Sequence, residues 1–293
     1  MKLFSTLLII LLLPVVVLSA DSTDTGWKHS LVVDITTTQT GYSDSWVGGE
    51  AGSFNWVGNL NSSAEKQFSP KFDFKSTLKI SFGQTKTQDA ETKEWSPAVK
   101  STDLIDFENV GNFTLGGFVD PYVAFRVETQ FYDGSTPGKK LYFSPMKLTE
   151  SAGMLKHLYK KDKEFVTTRL GFGMRQILKS SVDSALTSFD TTLTDGGIES
   201  VTDAVFKLSE RMTYTGKLSL YKAFYFSESD AIKGQTNEDY WKAVDVNWEN
   251  IVTAQVSKII TVNLYTQLLY DKEISKKGRF KETIAVGFVF KLI

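Results

Sequence analysis

From position 279 to its end the chain reads R-F-K-E-T-I-A-V-G-F-V-F-K-L-I. Phe280, Ile284, Val286, Phe288, Phe290 and Leu292 share one parity, and Lys281, Thr283, Ala285, Gly287 and Lys291 the other. A period of two marks a strand with one apolar and one small or polar face. Eleven earlier segments show the same period, at residues 27–37, 53–63, 71–84, 103–110, 120–132, 146–156, 165–178, 200–210, 213–226, 244–256 and 260–270. In residues 71–84, for example, Phe72, Phe74, Leu78, Ile80 and Phe82 oppose Asp73, Lys75, Lys79 and Ser81. Most segments run about ten to fourteen residues, enough for a strand tilted about 45° to cross an apolar band about 25 Å tall. Strands of a soluble sandwich are nearer five or six residues. The pattern predicts an all-β fold, an up-and-down antiparallel transmembrane β-barrel of about twelve strands occupying residues 21–293 as one domain.

The connections add a second signal. Those at 39–52, 85–101, 133–145, 179–199, 227–243 and 271–278 are long and polar, and alternate with shorter ones at 64–70, 111–119, 157–164, 211–212 and 257–259. Long extracellular loops alternating with short periplasmic turns are what an outer-membrane barrel shows. Both termini are then periplasmic and the strand number even. Asp133-Gly134 and Asp195-Gly196 read as turn signals.

Composition narrows the setting. Residues 1–20 read as a cleaved signal peptide, with Lys2, an apolar run from Leu7 to Leu18, and Leu18-Ser19-Ala20 before the cut. There is no cysteine, so disulfides, thiolate metal sites and a lipid-modified cysteine are excluded. A net charge of −1 with no basic stripe gives no footprint for nucleic acid. Past residue 20, no apolar run is long enough for a spanning helix. These features place the chain in the outer membrane of a diderm bacterium, with lipid as its surroundings. Phe288, Phe290 and Ile293 form a C-terminal signal for barrel assembly machinery.

The polar parity carries both signs: Lys28, Asp34, Asp73, Lys75, Lys79, Arg126, Glu128, Arg169, Arg175, Asp245, Glu249 and Lys281. Such charges either neutralise one another and stiffen a narrow lumen, or orient a solute in a channel. Arg126, Arg169 and Arg175 are candidate solute-facing cations, with Glu128 and Glu249 as counter-charges. In the first long loop, Trp46, Gly48, Gly49 and Glu50 form a distinctive string, read as a structured rim loop or a ligand contact. His29 and His157 are the two histidines. No nucleophile elbow, paired-histidine spacing or acidic metal cluster accompanies them, so no catalytic residue, metal or cofactor is expected.

The run Val33-Asp34-Ile35-Thr36-Thr37-Thr38-Gln39, followed by Ser45-Trp46-Val47-Gly48-Gly49-Glu50, resembles the opening of an uncharacterised bacterial outer-membrane barrel family, the domain of unknown function three thousand and seventy-eight. The likeness continues through Thr102-Asp103-Leu104-Ile105, Val127-Glu128-Thr129-Gln130-Phe131, Phe143-Ser144-Pro145 and Tyr270-Asp271. Leu170-Gly171-Phe172-Gly173 departs from it, standing where a serine-proline is expected. The resemblance implies an outer-membrane barrel and transfers no catalytic residue. The expected function is a porin-like narrow channel for small polar solutes. The alternatives are a barrel hydrolase acting on lipid or lipopolysaccharide and a structural or surface-interaction barrel with a closed lumen.

Overall fold

The computed structural model describes residues 26–40, 51–136, 138–183 and 187–291. The segment 1–20, the loop residues Trp46, Gly48, Gly49 and Glu50, Ile293 and the Phe290 side chain lie outside what is described. The strands are β1 (Trp27–Thr40), β2 (Ser53–Ser69), β3 (Phe72–Thr87), β4 (Val99–Phe113), β5 (Asp120–Thr129), β6 (Tyr132–Asp133), β7 (Leu141–Tyr142), β8 (Met146–Lys161), β9 (Glu164–Val182), β10 (Ser188–Ser209), β11 (Met212–Phe226), β12 (Val244–Gln255), β13 (Ile260–Tyr270) and β14 (Arg279–Lys291). Twelve of them close into one antiparallel barrel, in the order β1-β14-β13-β12-β11-β10-β9-β8-β5-β4-β3-β2. The short β6 and β7 pair with each other inside a loop.

Closure follows from the terminal pattern. β14 pairs with β1 from Val32 opposite Lys291 to Thr36 opposite Gly287. Within these five pairs the seam satisfies backbone groups that an apolar bilayer would otherwise leave unpaired. Its other edge pairs with β13 along most of its length.

The apolar parity points outward and stays uncovered. Ile35, Phe125, Leu170, Phe172, Ile198, Trp248, Leu264, Phe280 and Ile284 are all exposed on the outer wall. Water would penalise so continuous an apolar surface, whereas hydrocarbon accepts it. At the short-turn end, Trp27, Phe68, Phe72, Phe74 and Phe113 form an aromatic cluster, with the Phe72 and Phe113 rings 4.9 Å apart. Beyond it, Lys156 stands 3.1 Å over the Phe118 ring. Aromatic rings beside basic side chains mark a membrane–water boundary.

Several strands outrun the sequence reading. β10 begins at Ser188, so the predicted long connection 179–199 shrinks to residues 183–187 and the regular alternation of loop lengths breaks there. Asp195-Gly196 is therefore no turn. It lies inside β10, where the register against β11 shifts between Gly196 and Gly197. A bulge of this kind breaks the two-residue period and hides the strand from pattern reading. The turns at 64–70 and 157–164 also contract, because β2 runs to Ser69 and β8 to Lys161. Asp133 does begin a turn, its carboxylate accepting from the Ser135 amide at 2.8 Å.

Candidate functional site in the barrel lumen

The lumen is two unlike halves. Strands β4, β5, β8, β9, β10 and β11 are consecutive around the wall and carry nearly all of its ion pairs. Arg126 on β5 makes a two-pronged contact with Asp106 on β4, at 2.8 and 2.9 Å, and reaches Glu128 at 3.1 Å. Glu128 also holds Lys147 of β8 at 2.6 Å. Glu108 on β4 receives Arg169 of β9 at 2.6 Å and Lys217 of β11 at 3.1 Å. Arg169 is only 5% exposed and Asp106 6%, so these charges are out of bulk water and depend on one another.

The interior face of β9 explains how so much charge fits. It reads Arg169, Gly171, Gly173, Arg175, and each glycine makes room for a tyrosine from another strand. A Cβ on Gly171 would stand 2.6 Å from the Tyr122 hydroxyl, and one on Gly173 would be 3.3 Å from the Tyr221 ring. Both tyrosines are buried. The Arg175 guanidinium lies 3.6 Å over the Tyr221 ring, where the ring face attracts the cation. Arg175 also binds Asp195 of β10 at 2.8 Å and Asp245 of β12 at 2.8 Å, while the Tyr221 hydroxyl donates to Asp195 at 2.6 Å. The glycines that departed from the family-like pattern are thus the seats of this layer.

Glu108 and Lys217 lie on β4 and β11, the first and last strands of the charged half. Their contact therefore runs as a chord across the barrel. On one side of it the lumen is filled by ion pairs and tyrosines. On the other lie β12, β13, β14, β1, β2 and β3, which form most of the wall of a cavity of ≈ 1190 Å³; Asp106, Arg126, Glu128, Lys147, Arg175 and Glu199 of the charged half border it too.

Amides and hydroxyls dominate that second wall, and they orient one another. Asn59 donates to Asp34 at 2.8 Å and accepts from Ser81 at 2.6 Å. Asn55 accepts from Thr85 at 2.9 Å, Asn263 from Thr253 at 2.8 Å, and Gln267 donates to Asn247 at 3.0 Å. On β12 the inward residues Asp245, Asn247, Glu249, Ile251, Thr253 and Gln255 all line the cavity, as do Thr261, Asn263, Tyr265, Gln267 and Leu269 on β13. The cavity accordingly spans the height of the wall. Its lining takes in Arg211 and Lys258 at the short-turn end and Asp271 and Ile274 at the long-loop end.

Two loops shape the long-loop mouth. The segment holding β6 and β7 is tied down by Asp103, whose carboxylate accepts from the Phe131 amide at 2.7 Å and the Tyr132 amide at 3.2 Å. Lys100 pairs with Asp103 at 2.9 Å and donates to the Tyr132 carbonyl. Opposite in sequence, residues 271–278 carry Glu273, whose amide donates to Asp271 at 3.0 Å. Partial burial at the mouth pushes the Glu273 carboxyl up to about 7, helped by the negative charges of Asp271 and Asp245.

Arg126, Glu128, Arg169 and Arg175 all point into the lumen, and each is held by an ion pair. Arg126, Glu128 and Arg175 still border the cavity, whereas Arg169 lies within the filled half. Glu249 borders the cavity with Asn247 at 3.3 Å. The sequence gives no sign of Lys217 or Tyr221 beyond the polar parity of Lys217 in its strand, and it offers Asp195 only as part of a turn. His29 stacks on Trp27 with ring centres 6.0 Å apart, and His157, on β8 rather than at a turn, contacts the Thr167 hydroxyl at 2.9 Å. Among the described residues no three His, Asp or Glu side chains form a metal-holding group.

Fold and site together define a twelve-stranded transmembrane β-barrel with a partly filled polar lumen. Residues 37–134 match the family described as "Protein of unknown function (DUF3078)", the one the sequence motifs resemble. No curated protein matches the chain. Among solved structures it is similar to the COG4313 outer membrane channel from Pseudomonas putida F1 (13% identity, 93% of this chain and 99% of that one, TM-score 0.44). It is similar also to the translocator domain of the autotransporter NalP from Neisseria meningitidis (11% identity, 92% and 90%, TM-score 0.39). A third is the NanC porin (9% identity, 90% and 100%, TM-score 0.36).

Proposed function

We propose that this chain is an outer-membrane barrel that passes small polar solutes along the neutral half of its lumen. One observation carries the reading: the successive inward residues of β12 and β13 border a single cavity over the height of the wall. A barrel closed for purely structural reasons has no need of a polar path beside an already filled half. The ion-pair layer narrows the path and fixes its far wall, so the passage is selective by size. The apolar outer face supports a lipid setting, and the paired β14–β1 seam supports a C-terminal strand, with Phe288 and Phe290, that an assembly machine recognises before closure. Residues 1–20 serve as the export signal in this reading.

The test is planar-bilayer recording of the purified, reconstituted chain. The expected result is small, stepwise, ohmic conductance. Insertion without conductance above background overturns the reading in favour of a closed structural barrel.

A further inference from the structure

We infer that the neutral half of the lumen binds uncharged, polyhydroxylated solutes, sugars or polyols, a specificity that rests on its being the solute path. The amides on this wall are held in fixed orientations by neighbours, and each keeps hydrogen-bonding capacity toward the cavity. Asn59 commits one amide hydrogen to Asp34 and takes Ser81 on its oxygen, which leaves a second amide hydrogen and a lone pair. Gln267 commits its nitrogen to Asn247, which leaves its carbonyl oxygen as an acceptor. Asn263 accepts from Thr253 and retains a second lone pair. Donors and acceptors of neutral type thus recur along the wall. A hydroxyl both donates and accepts, so a chain or ring of hydroxyls suits such a surface.

The charges argue in the same direction. Among the described residues, eight basic and nine acidic side chains line the cavity, so no ring of one sign selects an ion. Beyond the charged half, Lys79, Arg279 and Lys281 face Asp34, Glu249 and Asp271, and the fourth carboxylate, Asp245, is held by Arg175 at 2.8 Å. An anionic or cationic solute would leave water without a dominant counter-charge, whereas an uncharged one exchanges water hydrogen bonds for amide ones. Tyr265, with Lys281 5.9 Å over its ring, adds a flat aromatic surface to the lining, against which the C–H face of a sugar ring can rest.

Two measurements on the full chain separate this specificity from the channel reading. Calorimetric titration of the detergent-solubilised barrel with maltose and sorbitol, against gluconate and glucosamine, reads binding without requiring conduction. Bilayer recording reads passage and its block by the same solutes. The expected result is binding of the neutral solutes at least about tenfold tighter than the charged pair, with concentration-dependent block by maltose. Gln267→Leu should weaken neutral binding about tenfold, the scale of one lost hydrogen bond in a shielded site. Thr253→Val, which removes only the hydroxyl orienting Asn263, tests the same wall with less risk to folding and should weaken binding severalfold. Equal or tighter binding of gluconate or glucosamine overturns the specificity, as does a conducting barrel that neither binds maltose nor is blocked by it. Sugar binding without conductance retains the specificity and overturns passage.

Discussion

Glu108 is the residue on which the filled half turns. It answers two cations from strands on the other side of the charged wall, Arg169 at 2.6 Å and Lys217 at 3.1 Å. Glu108→Gln leaves both buried without their anion and should cost about 3–5 kcal/mol. Lys217→Met removes one cation while Arg169 still neutralises Glu108, and should cost less. Denaturant unfolding in detergent, followed by tryptophan fluorescence, gives the order. A second titration belongs to the mouth. Glu273 has its carboxyl raised from 4.5 to about 7, so the folded loop retains a proton that the unfolded chain has lost. The contribution is present in full below about 4.5, falls as pH rises and is gone above about 7. Above that pH the mouth is also one charge more negative, so the reversal potential in a salt gradient should shift toward cation preference between about pH 5.5 and 8. Glu273→Gln should abolish the shift. At this scale, parity alone aimed Arg126, Glu128, Arg169 and Arg175 inward, yet it could not say which charges meet. Asp106 and Asp195 come from strands adjacent in sequence, Asp195 hidden beside the bulge at Gly196 and Gly197, whereas Glu108 and Asp245 reach Arg169 and Arg175 from strands far along the chain.

At the scale of elements, the period of two was enough to find all twelve barrel strands and the pairing of the last with the first. It fell short at strand ends outside the apolar band, where both faces meet water and alternation fades. Residues 188–192 of β10, within the stretch 179–199 expected as a loop, are exposed on both parities for this reason. The little β6–β7 ladder was equally invisible, because it is fixed by Asp103 of another hairpin rather than by its own pattern. β9 shows why glycine belongs within a strand here. Gly171→Val would drive a branched side chain against the Tyr122 hydroxyl, already 2.6 Å from the position of a Cβ, and against the Ala152 carbonyl, which is closer still. Overpacking of this kind costs about 1–3 kcal/mol. A loss of heat resistance in the gel-mobility shift of folded barrel would register it, and Tyr122→Phe, which removes the facing hydroxyl, should recover part of the loss.

For the whole molecule, the lumen of this barrel is packed on one side and holds a cavity on the other. The chord from Glu108 to Lys217 separates a half filled by ion pairs and buried tyrosines from a half lined by oriented amides. Sequence periodicity gave the inward faces of both halves but not their grouping, since β12–β14 and β1–β3 become neighbours only when the ends of the chain meet. The native chain contains no cysteine, so a single introduced thiol reports its surroundings without background. The most direct measurement is bilayer conductance of Asn263→Cys and Lys217→Cys before and after a water-soluble, bulky methanethiosulfonate reagent. A path confined to the neutral half predicts that modification sharply reduces conductance for Asn263→Cys and leaves that of Lys217→Cys nearly unchanged. Equal block at both positions, or conductance indifferent to modification at Asn263→Cys, would contradict it.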